Sequence, residues 1–138
     1  MSTFERMIPD LQASFVCEDV RVEATGAHTI VGIINSIGAP SLPIQILKLC
    51  VWTRWSSGVG QFEQRTRLIG PDEETVMAEA ETKFQLGNED SHTTNVNIFG
   101  GLHLTHPGAH HIEIYLDGEL KLRFPMRVIL PPASEPTA

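Results

Sequence analysis

The stretch HHIEIYLDGELKLRFPMRVIL, His110 to Leu130, decides the fold. Ile112, Ile114 and Leu116 alternate with Glu113 and Tyr115, and Asp117-Gly118 then reverses the chain. Leu120, Leu122, Phe124, Met126 and Val128 follow on one face, against Lys121, Arg123 and Arg127 on the other. Period-2 patterning on both sides of an Asp-Gly pair is a strong short-range hairpin signal. Strand side chains alternate faces, so the apolar face of this hairpin must be covered by the rest of the chain.

Moving outward, further strands are expected to supply that cover. Leu11, Ala13, Phe15 and Cys17 alternate with Gln12, Ser14 and Glu18. His28 to Ile37 is Ile- and Val-rich, and Gly32 within it marks a bulge or a close backbone approach. Ile44 to Trp55 is the longest apolar strand, with bulky groups on both faces. Ser56 to Gly60 reads as a turn, Gln61 to Ile69 as a strand with Phe62, Thr66 and Leu68 inward, and Gly70 to Glu74 as a turn. Val76 to Leu86 contains good helix formers, yet its period is two, so it reads as strand. Gly87 to Ser91 reads as a further turn, and Thr94, Val96 and Ile98 as a short strand. The pattern predicts an all-β fold, an antiparallel immunoglobulin-like β-sandwich of about eight strands. Residues 1–10 form a polar lead-in, 11–130 one domain, and 131–138 a Pro-rich tail expected to be disordered.

The chain has 138 residues, a length that fits one domain and supports a core without staples. Hydrophobic residues make up 41% and charged residues 20%, ordinary proportions for a soluble globule. Seventeen acidic residues against ten basic ones give a net charge of -7. That balance argues against nucleic-acid binding, which needs a basic stripe to track phosphates. No apolar run approaches membrane-spanning length, and MSTFERMIPD lacks the apolar region of a secretory signal, so the expected location is cytoplasmic. Cys17 and Cys50 each fall inside an apolar strand pattern and read as reduced, buried small hydrophobes. A bridge between them across the sandwich is the alternative.

HTIVGIINSIGAPSLP, the turn GPDEE, and PGAHHIEIYLDGELKLRFPMRV together resemble a bacterial family of small β-sandwich proteins of unknown function. The resemblance covers about Leu11 to Val128, and His110 departs from the aromatic residue of its final hairpin. It implies an immunoglobulin-like sandwich in a bacterial cytoplasm and carries over no catalytic residue.

Candidate sites are few. His103 and His106, with His110, are weak candidates for zinc or copper ligation. His110 shares the inner face with Ile112 while His111 points away, so adjacent histidines cannot easily both ligate. If every connection reverses direction, Glu18, Asp19, Glu89, Asp90, Asp117 and Glu119 gather at one end, an arrangement that suits calcium. Neither set has a diagnostic spacing, so no cofactor is expected. No GxSxG, His-Glu-x-x-His, Walker or dinucleotide pattern occurs, and no catalytic residue is assigned. Trp52 and Trp55 lie on opposite faces of one strand, so at least one is expected away from the core. Tyr115 should face outward, and Phe99 follows Asn95 and Asn97 on a polar face. Exposed aromatics of this kind are enriched at interfaces. The residues therefore point to a non-catalytic protein–protein interaction module that binds an unknown partner, a second copy of itself, or both. A sandwich binding a metal ion or carbohydrate is the alternative, and a hydrolase with paired carboxylates is third.

Overall fold

Hydrogen-bonded strands carry almost all of residues 6–132, the part of the chain described in the computed structural model. In order these are β1 (Asp10–Val22), β2 (His28–Ile33), β3 (Ser36–Gly38), β4 (Ile44–Ile69), β5 (Val76–Leu104), β6 (Gly108–Leu116) and β7 (Glu119–Ile129). There is no helix among the described residues, and hence none long and apolar enough to cross a membrane. The all-β expectation is met. The strands form one continuous seven-stranded sheet, ordered β2-β1-β4-β6-β7-β3 with β5 alongside β4, and the sheet is curled into a half-barrel.

The curl follows from connectivity. β2 and β3 stand at opposite ends of the strand order, yet only Ile34 and Asn35 separate them in the chain. Three peptide steps reach about 11 Å at most, so the two ends of the sheet must approach each other. Ile34 N–H donates to Val16 O on β1, and Arg127 N–H on β7 reaches Asn35 O. The single strand expected over His28 to Ile37 is therefore two. Gly32 has φ +66°, and a Cβ there would lie 2.3 Å from Glu18 Oε2. The positive φ is what favours glycine, since the atoms over it belong to the end of the Glu18 side chain and not to another backbone.

Fewer strands form than expected because β4 and β5 each run through a stretch that reads as a turn. Register passes from Ser56↔His92 to Gly58↔Asn88, leaving Ser57 opposite Glu89, Asp90 and Ser91. Ser57 has φ +63°. An odd number of extra residues exchanges the faces of a strand. Leu49, Val51 and Trp55 before the bulge, and Phe62 and Leu68 after it, consequently bury into the same core. Residues of the lead-in close the outside of the bend. Met7 exchanges two 2.9 Å backbone hydrogen bonds with Val59, and a Cβ at Gly58 would lie 2.8 Å from Pro9 Cβ. The remainder of the lead-in, 1–5, and the tail residues 133–138 lie outside the described residues.

The closing hairpin turns at Asp117-Gly118 as read, but a register shift between Ile114 and Tyr115 sets Leu120 opposite Tyr115, where it is exposed and not on the inner face. Leu116 pairs with Glu119, Asp117 and Gly118 take φ +48° and +84°, and His110, Ile112, Ile114 and Leu116 are all buried. Both turn residues at positive φ match the right-handed twist of the flanking strands. Polar groups tie the two halves of the β4–β5 hairpin together across the core. Trp55 Nε1–H and Asn95 Nδ2–H both donate to Gln64 Oε1, at 2.7 and 2.8 Å. Gln64 Nε2 donates to Thr66 Oγ1, Thr66 Oγ1 donates to Asn97 Oδ1, and Asn97 Nδ2 donates to Thr82 Oγ1.

Candidate functional site

Two places in the fold offer chemistry or contact: a cavity beside His110 and the unpaired edge of β5.

The cavity, about 510 Å³, lies where the β4–β5 and β5–β6 connections meet, with Pro71, Asp72, Met77, His106, Pro107 and His110 in its wall. His110 is fully buried at the start of β6, and its ring Nδ1 lies 3.2 Å from Gly108 O. That contact makes Nδ1 the protonated nitrogen and leaves Nε2 with a lone pair. Nε2 is buried and has no hydrogen-bond partner among the described residues. Burial holds the imidazole below the ordinary histidine range, and His111 and His106 push it the same way against the Gly108 bond. His110 is thus a neutral hydrogen-bond acceptor. Asp72 is committed elsewhere, accepting from Glu74 N–H, Thr75 N–H and the Thr75 hydroxyl. Those bonds, the hydroxyl first, hold its carboxyl down to about 2. His106 Nδ1 is 2.8 Å from Thr105 Oγ1, and His103 borders a different groove. The proposed trio of histidines is therefore split, two at the cavity and one outside it. Among the described residues no group of three or more His, Cys, Asp or Glu side chains could hold a metal ion.

Among the described residues, three of the six acidic side chains expected at one end are in ion pairs, Glu119 with Lys121 at 3.4 Å among them. Asp19 pairs with Lys48 at 2.6 Å, Asp117 with Arg6, and Glu18 lies over Gly32. Cys17 and Cys50 are direct cross-strand neighbours in one sheet, both free and both buried, instead of facing across two layers. Burial, followed by the neighbouring Cys50, pushes the Cys17 thiol up to about 11, and burial raises Cys50 as well.

The aromatic candidates are mostly covered. Trp55 is fully buried against Phe84, with ring centroids 5.9 Å apart, and Phe99 belongs to the core cluster. Trp52 does project from the other face of β4, as alternation requires. It is nevertheless buried there beside Phe15 and donates its indole N–H to His28 Nδ1 at 3.0 Å. Tyr115 is half-buried, donating to Glu113 Oε1 at 3.0 Å with Arg67 over its ring. Both faces of β4 are covered because it runs through the middle of the sheet, a position the alternation alone does not reveal.

Exposed large hydrophobics are scattered over several strands, Val22, Ile33 and Leu47 among them, but β5 has a long unpaired edge. β4 carries β5 along one edge and β1 and β6 along the other, whereas among the described residues β5 pairs with β4 alone. An unpaired edge presents a row of free backbone donors and acceptors to another strand. Along its first half the inward side chains Ala78, Ala80, Thr82 and Phe84 are only half-buried, although they pack on the core. Outward, Glu79, Glu81, Lys83 and Gln85 are exposed. Arg65 binds Glu79 at 3.1 Å and Glu81 at 2.8 Å. Lys83 has no ion-pair partner among the described residues. A groove of about 470 Å³ separates the two halves of β5, with Met77 and Ala78 on one bank and Ile98 and Leu102 on the other.

The fold thus defines a curled, single-sheet β protein in which β5, among the described residues, leaves a long edge open. The chain belongs to a family of unknown function, DUF6941, whose model matches residues 12–129. No curated protein matches it.

Proposed function

We propose that the chain is a non-catalytic interaction module that binds a partner by adding an extended strand to β5. The observation that carries this reading is the half-burial of Ala78, Ala80, Thr82 and Phe84 on a strand with one unpaired edge. Another strand laid along that edge would satisfy its backbone groups and complete the cover of four core-facing side chains. The proposal includes a bacterial cytoplasmic setting and an immunoglobulin-like packing of the two walls. The two free, buried cysteines favour a reducing compartment. Affinity capture of the tagged full chain, comparing wild type with a Glu81→Pro/Lys83→Pro variant, tests the reading. A stoichiometric partner held by the wild type and lost by the folded variant supports it, since proline removes edge donors. A partner held equally by both, or neither a partner nor a second copy of the chain bound, contradicts it.

A second reading rests on the buried Nε2 of His110. The His110 ring borders the cavity, and a small neutral ligand that donates a hydroxyl, the chemistry of a carbohydrate, would satisfy the Nε2 lone pair if the ring turned to present it. Nitrogen NMR of His110 during titration with monosaccharides tests it. A resonance unmoved by any of them ends this reading.

A further inference from the structure

Resting on the sheet-extension reading, we propose that the strand added to β5 is the β5 of a second copy, paired antiparallel about Thr82. Antiparallel pairing about a two-fold axis through Thr82 sets Glu81 against Lys83 of the other copy, twice. On the inward face the same register sets Ala80 against Phe84 and Ala78 against Leu86, small against large on both sides. Neighbouring registers lose this match. Centring on Glu81 makes two Glu79–Lys83 pairs but sets Glu81 against itself and Ala80 against Thr82, centring on Lys83 sets Lys83 against itself, and centring on Ala80 places Glu79 against Glu81. Centring on Phe84 leaves Lys83 facing Gln85 and makes no opposite-charge pair. Half-register shifts would set inward residues against outward ones and are excluded by the period of the strand. Opposite charges directly across an antiparallel pair stabilise it and like charges destabilise it. Lys83, which has no partner within its own chain among the described residues, gains one. Lysine on an exposed edge ordinarily discourages strand pairing. Here it favours the Thr82-centred register, the one of these that pairs opposite charges without setting like charges directly opposite. The interface is isologous, so it closes as a dimer and leaves no edge open along the first half of β5.

The test is analytical ultracentrifugation of the full chain as wild type, Lys83→Glu, Glu81→Lys, and an equimolar mixture of the two variants. The wild type is expected to dimerise, and each variant alone to dimerise about tenfold or more weakly, because each sets like charges opposite. In the mixture every contact becomes Glu against Lys again, so a heterodimer as tight as the wild-type dimer is expected. Effects inside one chain, such as the loss of the Arg65–Glu81 pair, cannot produce that preference. A monomeric wild type, or a mixture with no preference for the heterodimer, overturns self-pairing. Hydrogen exchange then separates the two proposals. If β5 amides of a monomeric chain become protected with a captured partner, sheet extension stands and only the identity of the strand was misassigned. If β5 gains protection under neither condition, both proposals fall.

Discussion

β5 and β6 share one sequence pattern and have different fates. Each alternates apolar and polar residues with period two, and each pairs with β4. In β6 the inward residues His110, Ile112, Ile114 and Leu116 are buried without exception. In the first half of β5, Ala78, Ala80, Thr82 and Phe84 stop at half-burial. β6 lies between β4 and β7, whereas β5 has β4 on one side only. The number of neighbouring strands, more than the pattern, therefore sets how much apolar surface a strand removes from water. The strand left short of a neighbour is where a partner has something to gain.

The sharpest way to break this comparison is truncation on the two strands. Ile114→Ala in β6 is expected to cost about 3 kcal/mol, the loss typical of a fully buried aliphatic group and the cavity it leaves. Phe84→Ala removes a larger side chain, yet its half-exposure should hold the loss in the monomer to about 2 kcal/mol. That is below the ~3–5 kcal/mol usual for a buried phenylalanine. Urea midpoints at low protein concentration decide the matter, and a larger loss from Phe84 than from Ile114 would erase the distinction.

The next effect tests the polar link between the walls. Gln64→Leu keeps the volume but strands Trp55 Nε1–H and Asn95 Nδ2–H, so about 2 kcal/mol should be lost. Equilibrium unfolding measures it, and a neutral outcome would mean that water serves those donors.

Smaller effects come from titration. With its thiol at about 11 instead of 9, native Cys17 should be alkylated about a hundredfold more slowly than a free cysteine at pH 8. Because the folded thiol stays protonated where the unfolded one ionises, stability is full below about pH 9 and falls as pH rises toward 11. Mass spectrometry of timed alkylation, and unfolding at pH 8 and 10, check both statements. His110 gives the opposite limb. Its folded pKa lies below the ordinary 6.5, so above that value both states are neutral. As pH falls below 6.5 the unfolded state takes the proton first, and stability declines. His110→Phe should lessen that decline in unfolding measured between pH 7 and 5; an unchanged slope would assign it to other groups.

How much of this was legible in the sequence depends on range. The Asp117-Gly118 hairpin and the positive φ at Gly32 are local events, and a glycine marks each. The inward placement of His110 followed from alternation alone. The continuity of β4 through Ser56–Gly60 did not, because it depends on Ser57 bulging against three residues of a strand that returns about thirty positions later. The pairing of β3 with β7 is parallel and non-local, so no turn chemistry marks it. Trp52 and Trp55 were rightly placed on opposite faces, but their burial is supplied by β1, β5 and the core. The walls of the His110 cavity come from two loops, and the open edge of β5 is a fact of topology, so neither left a local signal.

Hydrogen exchange on peptides covering 76–86 and 110–116, at dilute and at concentrated protein, tests the central claim most directly. If β5 is the contact edge between copies, its amides gain protection as concentration rises while those of β6 stay unchanged. β5 amides that exchange at the same rate at every concentration and with every added partner would contradict the account.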